Sequence, residues 1–412
     1  MTQINTYSLC SIPFSQNASK GSGKVRLCCI SQTLIKENNE PTNFGKNDIS
    51  EIWDSSTMTD IRQRMIAGER IPECAVCWSE EDKGKFSKRL KENKKYLNQI
   101  QDRIKYASEN NGRLDHYLPF HLDIRPGNTC NLKCRMCHPS ASSLYAKEII
   151  NDWSDEMILE FPEYKTDTEK FKEWHETEVF WRNIDKIVGD LKELYVTGGE
   201  PTISKTFLAL IDKCIEYDVA KDMKLRFNTN LMAFNTNLIE KMKCFKSISL
   251  DPSVDAYGDK LSYLRHPINW EIFEKNFIKS LQTDDNVDID ITVTVNIMNV
   301  LYLNELHHAL VSLSHAYNKE ITFSYDLVHD PKYLAVNNLT DNLKNIANER
   351  LELMLREWPD LTDLKSIISF VNEPSDKHQQ QQFKFFTESL DNIRNESFVK
   401  TFPEMKEMIN ER

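Results

Sequence analysis

Residues 120–126 (Phe120-His121-Leu122-Asp123-Ile124-Arg125-Pro126) alternate apolar and polar positions, the period of a β-strand. Comparable stretches predict strands at 193–197, 223–228, 246–251, 287–296 and 321–327. Between them apolar residues recur with helical spacing, as over 206–217 and 270–281. Strands that alternate with helices predict an α/β fold with a parallel sheet. The interval 142–192 is long for one crossover and predicts extra helices, with Trp153, Trp174 and Trp181 in core or interface positions. Beyond Asp330 the pattern is helical: 337–358, 361–371 and 383–408. Asp391 and Arg394 stand at helical spacing and read as an ordinary surface pair. Four regions follow: a cysteine-bearing module over 1–80, a charged helical connector over 81–117, a strand–helix core over 118–330 and a helical region over 331–412.

The chemistry sits at the first strand's end. Gly127 and Asn128 break the alternation, and Cys130, Cys134 and Cys137 follow in a C-x₃-C-x₂-C loop. Thiolates hold iron–sulfur clusters. Three of them on a four-iron cube leave one iron without a protein ligand, and an open position is where a metal reacts. The second strand ends in Gly198-Gly199-Glu200-Pro201. With these two motifs, in this order and on strand ends, the chain resembles the radical S-adenosylmethionine (SAM) superfamily.

That resemblance implies a partial (β/α)6 barrel and a [4Fe–4S] cluster on Cys130, Cys134 and Cys137, whose open iron chelates SAM. Met136 stands where the family has an aromatic or other apolar residue beside the adenine. Gly198, Gly199 and Glu200 would lie against the SAM amino group; glycines suit close backbone approach and a carboxylate suits an ammonium. Phe227-Asn228-Thr229-Asn230 matches the strand end near the ribose, so Thr229 and Asn230 are candidate contacts. Ser253 and Arg265 match residues that hold the SAM carboxylate, and Val293-Thr294-Val295-Asn296 matches the next strand. The chemistry implied is reductive cleavage of SAM to a 5′-deoxyadenosyl radical, which abstracts hydrogen from substrate.

Cys10, Cys28, Cys74 and Cys77 form a second set, with Gly23 five residues before Cys28 and Cys74–Cys77 as a C-x₂-C knuckle. Four thiolates close a metal shell, so the set reads as structural zinc or as a second [4Fe–4S] cluster. The order of cysteines resembles the twitch module, a short SPASM domain with one auxiliary cluster, and so do 51–53 and 65–69. In that family the module follows the barrel, whereas here it precedes it. An auxiliary cluster would relay the electron left on a substrate radical. Cys29, Cys214 and Cys244 remain; packing as small apolar residues is expected for each.

Of the acid–base candidates at strand ends, Asp251, Asp255, Asp326 and His329, none is assigned as the catalytic base, and His138 shapes the turn before Pro139 or tunes the cluster. Ten cysteines without a secretory leader argue for metal rather than disulfides and for the cytoplasm. No stretch reaches 18 apolar residues, which excludes a membrane span. A net charge of −11 argues against broad nucleic-acid binding. The local basic run, Lys83, Lys85, Lys88, Arg89, Lys91, Lys94 and Lys95, reads as a solvated helix. The leading expectation is an oxidoreductase acting on a peptide or protein, fed by a flavodoxin- or ferredoxin-type donor. The alternatives are the same chemistry on a carbohydrate or nucleotide-linked substrate, sulfur or methyl transfer, and a zinc-stapled binding protein with an inactive barrel.

Overall fold

The structure is a computed structural model that describes residues 7–84, 86–165, 171 and 174–410. Of the basic run, Lys85 lies outside the described residues. The chain divides into two compact units. The first takes the described residues of 1–128, 169–226 and 244–247, and the second those of 129–168, 227–243 and 248–412.

In the first unit, β1 (Gln16–Ser19) pairs antiparallel with β2 (Val25–Arg26) and parallel with β5 (His121–Ile124), which pairs parallel with β6 (Glu193–Val196). The register sets Gln16, His121 and Glu193 in one row and Ala18, Asp123 and Tyr195 in the next. β3 (Lys36–Glu37) and β4 (Glu40–Pro41) form a separate hairpin. Leu122 and Ile124 are buried on one face of β5, His121 and Asp123 on the other. That β1 from the cysteine-bearing module joins the edge of β5 has no counterpart in the sequence pattern.

β7 (Lys224–Thr229) runs from the first unit into the second, which holds β8 (Ser247–Pro252, from Ile248 onward), β9 (Val287–Val295) and β10 (Ile321–Leu327). β8 pairs parallel with β9, and β9 with β10. On β9, Val287, Ile289, Ile291, Val293 and Val295 are buried while Asp288 to Thr294 alternate toward the polar face. Helices between the strands start on side-chain caps: Ser204, Asn235 and Asn269 each accept a backbone N–H of the first turn. The α/β class and the six expected strands are present, each within two residues of its expected ends.

The long interval carries helices Ser143–Asp152, Asp155–Glu160 and Glu178–Ile187. Trp153 packs against Tyr164 (5.1 Å) in the second unit, and Trp174 donates to the Gly21 carbonyl (2.8 Å) in the first. The tail departs from expectation. One helix was expected over 383–408; the structure has Lys377–Arg394, then Phe398–Thr401 and Glu407–Asn410. Asn395 ends the long helix in the left-handed region (φ 52°), a conformation Asn tolerates at a helix C-terminus. The Asp391 carboxylate then accepts the Phe398 N–H (2.6 Å), turning the chain back.

Candidate functional site

The loop after β5 has no regular structure and is fixed by hydrogen bonds. Lys133 N–H donates to the His266 carbonyl (2.7 Å), Arg135 N–H to that of Leu264 (2.8 Å) and Cys137 N–H to that of Cys134 (3.0 Å). Asn230 Nδ2 donates to Asn131 Oδ1 (2.8 Å). Cys134 is buried; Cys130 and Cys137 are half-buried. Burial pushes the Cys134 thiol well up; the Arg265 guanidinium draws it down, and Cys137 and Cys130 push it up. Three thiols and one guanidinium therefore share a neighbourhood. Arg265 is itself oriented by Asp255 through Nε–Oδ2 (2.6 Å) and Nη2–Oδ1 (3.0 Å), and Asp255 also accepts the Thr294 N–H (2.8 Å). Ionising thiols in such a buried place needs a positive partner, which a metal centre provides.

The second unit holds five candidate SAM contacts. Asn230 reaches the cysteine loop; Thr229 Oγ1 accepts the Leu231 N–H (3.0 Å), and the Thr229 carbonyl accepts that of Ser253 (2.8 Å). Arg265 lies beside the thiols, and Met136 is half-exposed. The first unit holds the other three. Gly198 (φ +82°) has no room for a side chain, since a Cβ would fall 2.9 Å from that of Arg125. Gly199 also has positive φ (61°). Glu200 is buried and caps the turn Pro201–Ile203, accepting from Thr202 N–H (3.1 Å) and Oγ1 (2.6 Å).

The charged residues that brace the loop were missed by sequence reasoning. Arg135 is fully buried between the second and third cysteines, with its guanidinium 3.7 Å from the Tyr263 ring and Nη2 on both Asp391 and Glu396 (2.7 Å each). Glu148 pairs with Lys133 and with Arg394 (2.7 Å). Asp391 and Arg394 are thus not a surface pair: each answers a separate charge brought in by the loop or the helix after it. Only the run of charges within C-x₃-C-x₂-C hinted at this. His138 is held at both ring nitrogens, by Ser140 Oγ (2.7 Å) and the Glu163 carbonyl (2.9 Å), and stacks on Tyr164.

In the first unit, Cys10, Cys28, Cys74 and Cys77 line one pocket together with Lys88 and Arg89. Burial and then Cys74 raise the Cys10 thiol, with Cys28 and Cys77 adding to it. Burial, then Cys28 and Cys77, push Cys74 up to about 12. Once ionised, four such thiols would repel one another, a charge that a metal centre would offset. Among the described residues no group of three or more His, Cys, Asp or Glu is arranged to hold a single metal ion. The basic run is solvated at Lys83, Lys91, Lys94 and Lys95, as expected, but not at Arg89. Arg89 is buried, grips Glu81 (3.0 and 2.5 Å), donates to the Leu9 carbonyl (2.7 Å) and lies over Trp78. Gly23 (φ +78°) admits Trp174, whose ring would lie 2.5 Å from a Cβ there.

None of the ten cysteines forms a disulfide. Cys214 is buried as expected, but Cys244 is exposed, because its helix, Thr236–Met242, ends before reaching it. Asp251 and Asp255 are buried; Asp326 and His329 are exposed.

The family model described as the radical SAM superfamily matches residues 124–311. That of an iron–sulfur cluster-binding domain, SPASM, matches residues 10–78. No curated protein matches. Among solved structures, the chain is similar to Streptococcus suis SuiB bound to S-adenosylmethionine, with TM-score 0.38 and 15% identity over 78% of this chain and 65% of that one. It is also similar to anSMEcpe with bound AdoMet (TM-score 0.37, 14% identity, 59% and 61%). A third is SuiB bound to the precursor peptide SuiA (TM-score 0.36, 14% identity, 81% and 64%). The chain covers less than two thirds of each of these solved chains.

Proposed function

Starting from the radical SAM superfamily, to which this chain belongs with a SPASM-type iron–sulfur domain ahead of the core, we propose an oxidoreductase that cleaves SAM reductively and takes hydrogen from a peptide or protein. Cys130, Cys134 and Cys137 would hold the SAM-binding [4Fe–4S] cluster, and Cys10, Cys28, Cys74 and Cys77 an auxiliary one. The first cluster, when bound, supplies the electron that splits SAM into methionine and the 5′-deoxyadenosyl radical.

The chain's own residues do the positioning. The observation that carries the reading is Arg265, fixed by two bonds from Asp255 and lying beside Cys134 and Cys137. A guanidinium held in one orientation next to the cluster thiols suits the carboxylate of SAM. Ser253 would add a hydroxyl to the same carboxylate. Asn230, bonded to Asn131, and Thr229 would face the ribose. Met136 would contact the adenine through a soft apolar surface. Gly198 and Gly199 would present bare backbone to the SAM amino group beside Glu200.

Lys88 and Arg89 at the four-thiol pocket draw the Cys28 and Cys74 thiols down and so favour the thiolates that an auxiliary cluster, serving as a relay, would need. SPASM and twitch relatives act often on peptides, which supports a peptidyl substrate. A flavodoxin- or ferredoxin-type donor would supply electrons in the cytoplasm. Among the described residues no helix is long and apolar enough to cross a membrane.

Anaerobic incubation of the iron-loaded chain with dithionite and SAM tests the reading. It expects 5′-deoxyadenosine from the wild type and none from Cys134→Ser. Equal yields from the two would end it.

A further inference from the structure

Four charged side chains of the first unit converge on one small residue. Ala18 on β1 is opposite Arg26 on β2 and opposite Asp123 on β5, so Arg26 and Asp123 flank it on the same face. Lys20, two residues beyond Ala18, and Arg125, two beyond Asp123, extend that face past the carboxyl ends of β1 and β5, and Arg125 N–H donates to Ser19 Oγ (3.0 Å). This is the end of a parallel sheet at which ligands bind.

Arg26 is only 6% exposed, yet its Nε and Nη2 have no partner among the described residues. Asp123 is 1% exposed, and its Oδ1 has none either. Buried groups of this kind are ordinarily satisfied. Arg125 Nε donates to Thr197 Oγ1 (2.9 Å), and among the described residues the Lys20 amine reaches only Gln32 (3.5 Å). Lys20 and Arg125 keep part of their surface in water. Burial and the neighbouring Arg26, Lys24 and Arg125 hold the Lys20 amine below its usual range. Arg26, Lys20 and Arg125, with Lys24 beside Lys20, thus stand against the Asp123 carboxylate, in a chain of net charge −11.

We propose that Arg26, Asp123, Lys20 and Arg125 form a recognition site for a carboxylate of a peptide substrate. The free Nε and Nη2 edge of Arg26 matches the two oxygens of a carboxylate. Lys20 and Arg125 add charge from the open side. Asp123 Oδ1 accepts an N–H of the same peptide, and its charge opposes a dianion such as phosphate. The site deepens the proposed function by naming the feature of the peptide that is read, and it rests on that reading.

Calorimetry on the iron-loaded, SAM-saturated chain at low salt tests it with four probes. These are acetyl-glutamate methylamide, acetyl-glutamine methylamide, acetyl-glycyl-glycine with a free carboxyl end, and inorganic phosphate. A carboxylate probe binds about tenfold or more tighter than the glutamine probe. Preference for the glutamate probe assigns a side-chain carboxylate, preference for the free end a terminal one. Arg26→Gln weakens that binding about tenfold, and Arg26→Lys restores part of it. Iron content and circular dichroism of each variant report folding. If Arg26→Gln does not fold, Lys20→Gln, at a half-exposed position, carries the test with an expected loss of a few fold. The proposal is overturned if neither carboxylate binds at millimolar concentration, if the glutamine probe or phosphate binds as tightly, or if the folded variant binds like the wild type. Formation of 5′-deoxyadenosine by the wild type is scored separately. Its absence sinks the radical reading, while the carboxylate site still stands or falls on the calorimetry.

Discussion

At Gly23 the backbone is in the left-handed region and the Trp174 ring occupies the space of a side chain. Gly23→Ala adds backbone strain to a clash, so a loss of about 3 kcal/mol is expected, measured by denaturant titration. A wild-type-like midpoint would show that the ring moves aside freely. His307 offers a second test. It is buried against Phe323, Tyr325 and Trp358, and burial with the adjacent His308 lowers its pKa to about 4. The unfolded chain takes up that proton near pH 6.5 and the folded chain only near 4, so stability falls as pH drops through this window. The expected loss by pH 5 is about 2 kcal/mol. His307→Gln should flatten that part of the pH–stability curve; an unchanged curve would assign the loss to other groups.

Among elements, helix Lys377–Arg394 and the turn after it matter most for the cysteine loop of the same unit, because they bring Asp391, Arg394 and Glu396 to Arg135 and Glu148. Arg135 is fully buried, so removing both its carboxylates leaves an uncompensated charge. Asp391→Asn with Glu396→Gln should cost about 3 kcal/mol. It should also speed hydrogen exchange in 130–138, which a purely local change in the tail would not do. Several strands were legible because apolar and polar residues alternate along them in sequence, as over Lys224–Thr229 and Val287–Val295. The end of the helix at Asn395 was not, because helical periodicity resumes after the turn and hides one left-handed residue. The burial of Arg89 was equally hidden: a lysine-rich run reads as solvated, and only the folded chain sets Glu81, Trp78 and the Leu9 carbonyl around one guanidinium.

For the whole molecule, two [4Fe–4S] clusters give about eight irons per chain, and Cys134→Ser and Cys74→Ser should each lose about four. Mössbauer spectra and iron assays after anaerobic reconstitution check this. One zinc and no visible charge-transfer band would point instead to a stapled binding protein. The three-cysteine loop and the Cys74–Cys77 knuckle were legible because their spacing is local in sequence, whereas Cys10 and Cys28 were joined to that knuckle only through the family resemblance. The braces around them were not, because each joins residues far apart in the chain: Arg135 meets Asp391 and Glu396 across 256 and 261 positions. That separation bears on how the protein matures. The residues that line the pocket of Cys10, Cys28, Cys74, Cys77 and Arg89 all precede position 90, but the strand that follows Cys10 finds its partner only at His121–Ile124. Arg135 gains its counter-ions only once residues 391 and 396 have been made, so the brace of the three-cysteine loop closes after nearly all of the chain has been synthesised.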